Sequence, residues 1–232
     1  MMQPYKLVTL VLTLGLLAVS LAPAQAITAK GGSAVMMDDG EQVKLEYLGT
    51  DRLRITSDAD EGYMLMRGDK LYAVAQQGGQ AMVFDLTAAV ASMGGMVESQ
   101  GVWDEEIQDI LELTNTGQSE MVAGIRGEIF TMTYIDGRGH KQTSNMVLSK
   151  DDSIVALTRA MNAMTKLMIT ASGGQLPPGV IKMEERILSQ GYGVLRQGDD
   201  FVFTEISTTE PPASSFELPA KPMKLPSMGQ FN

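Results

Sequence analysis

From Ser33 to Asp85 apolar and polar residues largely alternate, and turn residues cut the alternation into short runs. Val43, Leu45 and Tyr47 are interleaved with Lys44 and Glu46, and Leu53 and Ile55 with Arg52, Arg54 and Thr56. A period of two places alternate side chains on opposite faces, so these runs predict strands with one buried and one wet face. Asp38-Asp39-Gly40 and Gly68-Asp69 carry the residue types of tight hairpin turns. Adding the runs at 63–67 and 71–75 and the pair Met82 and Phe84, the stretch predicts about six antiparallel strands in a meander.

The pattern then changes. Small residues running up to Gly94-Gly95 predict a short helix, and residues 103–113 predict another, with Asp104, Glu105 and Glu106 suited to its first turn. Phe130, Met132 and Tyr134 alternate with Thr131 and Thr133, Asp136-Gly137 marks a turn, and residues 142–148 run back. The clearest helix spans 152–169: Ile154, Leu157, Met161, Met164 and Met168 recur at steps of three and four, while Arg159, Asn162 and Lys166 lie off that face. Ser149 and Asp152 have the spacing of a capping box, and Gly173-Gly174 ends the helix. A short helix over 178–189 and a hairpin of 194–197 with 201–206 follow. From Pro211 the chain holds Pro212, Pro219, Pro222 and Pro226, which predicts an extended, partly disordered tail over 211–232, with Phe216 and Leu218 able to anchor its start. The reading is an α+β chain with one domain over 27–210.

The first 26 residues read differently. Lys6 precedes a 15-residue apolar run from Leu7 to Leu21, then Pro23 and the small-x-small triplet Ala24-Gln25-Ala26. That is the pattern of a signal peptide cleaved after Ala26, and it predicts a periplasmic or secreted product. The run is shorter than the roughly 20 apolar residues a spanning helix needs, and no later stretch reaches that length, so the mature chain has no transmembrane segment.

Composition narrows the chemistry. The 232 residues carry 18 Lys and Arg against 28 Asp and Glu, a formal charge of −10, which disfavours nucleic acid as a partner. There is no Cys, so disulfides, thiolate nucleophiles and Cys-ligated metals are excluded, and a single His, His140, excludes two-histidine metal sites. Asp58-Ala59-Asp60-Glu61-Gly62 departs from a calcium loop, since Gly62 is fifth and Asp69 twelfth. Asp104, Glu105, Glu106 and Asp109 read as a wet helix start, not an acid pair. No nucleophile elbow, phosphate loop or dinucleotide fingerprint is present, so the expectation is a protein that is not an enzyme and uses no cofactor.

Methionine stands out, with 18 in the chain. An unbranched thioether fills irregular cores, lines cavities that accept variably shaped apolar ligands, and is a soft ligand for copper(I). The expected ligand-binding residues are Met64, Met66, Met82, Leu157, Met161, Met164 and Met168, enclosing a lipid or other apolar molecule. The alternatives are an envelope protein-interaction module whose methionines are plain core, and a copper(I)-binding protein.

The order of strand-rich half, helical break, hairpin, long helix and late hairpin resembles the periplasmic lipoprotein-carrier (Lol) fold superfamily. The likeness is carried by DRLRITSDADEGYMLMRGDKLYAV, residues 51–74, and by PPASSFELPA, residues 211–220, within a span of about 33–220. The resemblance implies a curved antiparallel sheet, an incomplete β-barrel with covering helices, whose hollow shelters acyl chains. Thr50 stands near a basic residue of the carriers and Arg54 near an apolar one, so no functional residue is carried over.

Overall fold

The computed structural model describes residues 31–38, 40–57, 62–93, 107–199 and 201–223. The signal segment, the acidic turn at 58–61, residues 94–106 and the end of the tail lie outside them.

Six strands follow one another as predicted: β1 (Gly31–Asp38), β2 (Glu41–Leu48), β3 (Arg52–Ser57), β4 (Gly62–Arg67), β5 (Lys70–Gln77) and β6 (Gln80–Asp85). Gly40 and Gly68 turn two of the hairpins with φ of 85° and 62°, a left-handed backbone that a side chain would strain. Helix α1 (Leu86–Met93) then leads away. Strands β7 (Asp109–Val122), β8 (Ile125–Ile135) and β9 (Lys141–Ser149) precede helices α2 (Asp152–Ala171) and α3 (Pro178–Arg186), and β10 (Gly193–Gln197) and β11 (Phe201–Ser207) close the sheet.

All eleven strands join one antiparallel sheet in the order β6-β5-β4-β3-β2-β1-β11-β10-β9-β8-β7. The chain therefore builds two meanders, and the first strand pairs with the last, Ala34 opposite Ile206 and Met36 opposite Phe203. The sheet is open, with β6 and β7 at its edges. Few helices accompany it, so the fold is more sheet-dominated than an even α+β mixture.

Two of the readings need correction. Residues 109–113, expected to be helical, begin β7, the longest strand among the described residues. The helix cap is Asp151, whose carboxylate accepts the Ser153 backbone N–H at 2.9 Å, and not Ser149. Ser149 stands one step back, accepting the Asp151 N–H and donating its hydroxyl to the Arg126 carbonyl.

The main core lies under α2. Leu45, Tyr47, Leu53, Met66 and Leu71 of β2 to β5 pack with Met36, Phe203 and Leu195, and with Ile154, Leu157 and Ala160 of the helix. Leu48 and Leu65 alternate with Tyr47 and Met66, so they point to the opposite face, where Phe216 of the tail covers them. From there the tail reaches the β6 edge. The Met223 N–H donates to the Val83 carbonyl at 2.7 Å, and the Asp85 N–H to the Met223 carbonyl at 3.3 Å. The tail is thus docked as far as it is described.

At the other end the sheet rolls over. Residues of β7 touch β11, although β8, β9 and β10 lie between them. In a flat sheet these strands would stand about 19 Å apart, four spacings of roughly 4.8 Å. The cause is local. Residues 116–118 of β7 bulge between the pairs Asn115–Phe130 and Ser119–Glu128, with Gly117 at φ 76°, and such bulges bend a strand. The bend lets Glu120 of β7 grip the Arg196 guanidinium of β10 through bonds of 2.8 and 3.2 Å. It also delivers Val122 to the main core.

Candidate functional site

One face of α2 carries Thr158, Met161, Asn162 and Thr165, the spacing that brings side chains together over two turns. Facing it, α3 begins with Pro178 in its first turn, where the missing N–H costs nothing. Gly179 sits directly on the chain entering β7. Its N–H donates to the Gln108 carbonyl at 2.8 Å, and a β-carbon there would stand 2.0 Å from the Ile107 carbonyl oxygen. This contact seats the start of α3 directly against residues 107–108.

The gap between the two helices is a pocket of about 300 Å3. Its walls are Ile107, Met161, Val180 and Met183, with Val194 of β10 and Phe201 of β11 below and Thr158, Asn162, Thr165 and Gln197 as its polar groups. Thr158 also ties α2 to the sheet, its hydroxyl oxygen accepting the Val194 N–H at 3.0 Å. Phe201 is held edge to face against Phe203 of the core, ring centres 5.1 Å apart. The arrangement can enclose an apolar group and offer a few neutral hydrogen-bonding groups beside it.

The structure divides the residues expected to bind a ligand. Met161 lines this pocket. Met66 and Leu157 are each 1% exposed and belong to the main core. Met164 and Met168 pack against that core from α2. Met64 and Met82 are half-buried on the sheet face that bears Met66: Met64 pairs with Ala73, and Met82 with Ala75. None of these six is among the residues lining the pocket. Asn162, read as lying off the working face, is part of its wall. Val180, Met183, Val194 and Phe201 were not anticipated; only the amphipathic flank of α2 carried a signal in the sequence.

None of the other polar candidates among the described residues lines the pocket. His140 is 69% exposed at the β8–β9 turn, with Nδ1 3.7 Å from the Asp136 carboxylate. Asp136 accepts the Gln142 side-chain amide and the backbone N–H groups of His140 and Arg138, which hold its pKa below the usual carboxylate value. Asp109 pairs with Lys182 of α3 at 2.6 Å, and its former companions, Asp104 to Glu106, lie outside the described residues. Among the described residues no group of three His, Cys, Asp or Glu side chains is placed to hold a metal ion, and no helix is long and apolar enough to cross a membrane.

Fold and pocket together define a class: an open antiparallel sheet, rolled at one end, with a helix-walled apolar pocket. The chain matches no protein-family model, no curated protein and no solved structure.

Proposed function

We propose that this is an exported, non-catalytic protein that shelters a lipid or similar apolar ligand between α2, α3 and the β10–β11 hairpin. The observation that carries the reading is the pocket, about 300 Å3 and walled by Met161, Val180, Met183, Val194 and Phe201. That volume falls at the lower end of the usual range for ligand sites. Two thioethers on facing helices can reshape the cavity around different chains, because Met has three rotatable bonds and no branch. Burying acyl carbon is worth about 0.8 kcal/mol per methylene, so a short length of chain suffices for useful affinity.

In this reading the sheet is a curved, incomplete barrel with helices across its open side, as the resemblance to the lipoprotein-carrier superfamily implies. The basic, apolar and small-residue pattern of residues 1–26 supports export to a periplasm or the medium. Binding would need no chemistry, only release of water from apolar walls.

The test is a native mass spectrum of gently purified protein, followed by titration of the delipidated protein with an environment-sensitive apolar dye. Bound lipid or saturable dye uptake is expected, and Val180→Trp, which fills the cavity, should remove it while the fold survives by circular dichroism. Wild-type protein that carries no lipid and takes up no dye would end the proposal.

A further inference from the structure

Resting on that reading, we propose that the pocket selects an uncharged, single-chain amphiphile, of the monoacylglycerol kind, over free fatty acids and two-chain phospholipids.

The charge argument comes from where the cations are. The elements that wall the pocket, α2, α3 and β10, carry Arg159, Lys166, Lys182, Arg186 and Arg196. None of the five is among the residues lining the pocket, and Lys166, Lys182 and Arg196 are paired with carboxylates. Arg159 donates to the Leu188 carbonyl, Lys166 pairs with Glu184, and Lys182 pairs with Asp109. Arg186 donates to the Leu111 carbonyl at 3.2 Å, and Arg196 is held by Glu120 and by the Gly198 carbonyl at 2.6 Å. Among the described lining residues the polar groups are the neutral Thr158, Asn162, Thr165 and Gln197. A carboxylate or phosphate entering here would leave water without meeting a cation on the pocket wall, which is unfavourable. A head group left at the mouth would face a chain of net charge −10. Hydroxyl groups fit better, since amide and hydroxyl side chains can both donate to and accept from them.

The chain count comes from volume. About 300 Å3 is the floor of the range for ligand sites, so a single chain suits it better than two side by side.

The experiment is displacement of the apolar dye from the purified full chain by monomyristoylglycerol, myristate or dimyristoylphosphatidylcholine, each below its aggregation threshold. At about pH 8 the monoacylglycerol should displace dye at a concentration at least about tenfold lower than myristate, and the gap should narrow at about pH 5 as the fatty acid protonates. Asn162→Lys, which puts a cation on the pocket wall in place of an amide, should strengthen myristate binding about tenfold and weaken monoacylglycerol binding, reversing the order of the two. Myristate competing as well as the monoacylglycerol at about pH 8 would overturn the charge selectivity. Dimyristoylphosphatidylcholine competing equally would overturn the single-chain preference. Both results leave apolar binding standing, whereas no dye uptake at all removes the pocket reading and this inference with it.

Discussion

The phenol of Tyr47, on β2, donates a 2.9 Å hydrogen bond to the carbonyl of Ser153 in the first turn of α2, 106 residues later in the chain. Both residues are buried. The bond fixes where the long helix starts on the sheet, and so where its pocket-facing side chains fall.

Burial, and secondarily the nearby Asp151 carboxylate, push the Tyr47 phenol up to about 12. In the unfolded chain it ionises near 10. The folded-state pKa is the higher one, so this contribution to stability is complete below about pH 10 and is lost as pH rises toward 12. Tyr47→Phe should lower stability by about 1 kcal/mol near neutral pH. Across the alkaline window the wild type should lose stability more steeply than the variant, which denaturant melts at several pH values will show.

The methionines should separate into two kinds. Met66→Ala removes a fully buried core side chain and should cost about 2–5 kcal/mol. Met161→Ala, at the pocket wall, should cost about 1–2 kcal/mol and weaken dye uptake several-fold. Paired thermal melts and dye titrations distinguish them.

Gly179→Ala tests what spaces α3 from the sheet. Its methyl group would collide with the Ile107 carbonyl, so the helix must shift. We expect a loss of about 1–3 kcal/mol, the usual cost of overpacking, together with weaker dye binding. The neighbouring exposed position Ile181→Ala should change neither by much.

Phe216 is the tail's anchor, buried against Leu48 and Leu65. Phe216→Ala should destabilise the protein by about 3 kcal/mol. Limited proteolysis should then cut within residues 208–223 before the sheet is attacked.

Much of the sheet was legible because it obeys a simple period. Val43, Leu45 and Tyr47 turn inward, and the polar residues between them turn out, so β2 to β5 could be read to within two residues of their ends. The same holds for α2, whose Ile154 and Leu157 meet the core as their spacing required. Strand β7 was misread because it is an edge: only Ile110 and Val122 are buried, so it carries no alternation, and Asp109 to Leu113 looks equally like a helix. The pocket was illegible for another reason. Its walls come from residues 107 to 201, and Thr158, Asn162 and Thr165 look like a wet flank until α3 is laid beside them. Periodicity says which side of a helix avoids water. It does not say that a second helix will stand a few ångströms short of full contact.

The placement of Met223 has a consequence for the molecule among its own kind. A sheet this wide exposes a hydrogen-bonding rim on each side, and an unguarded rim is a template on which further copies can stack. On one side Met223 occupies β6 backbone groups, and on the other the kink at Gly117 and the exposed charge of Glu112 spoil β7 as a template. The short pairing at the tail should therefore guard against runaway self-association. Concentrated protein should remain monodisperse for as long as the tail stays in place.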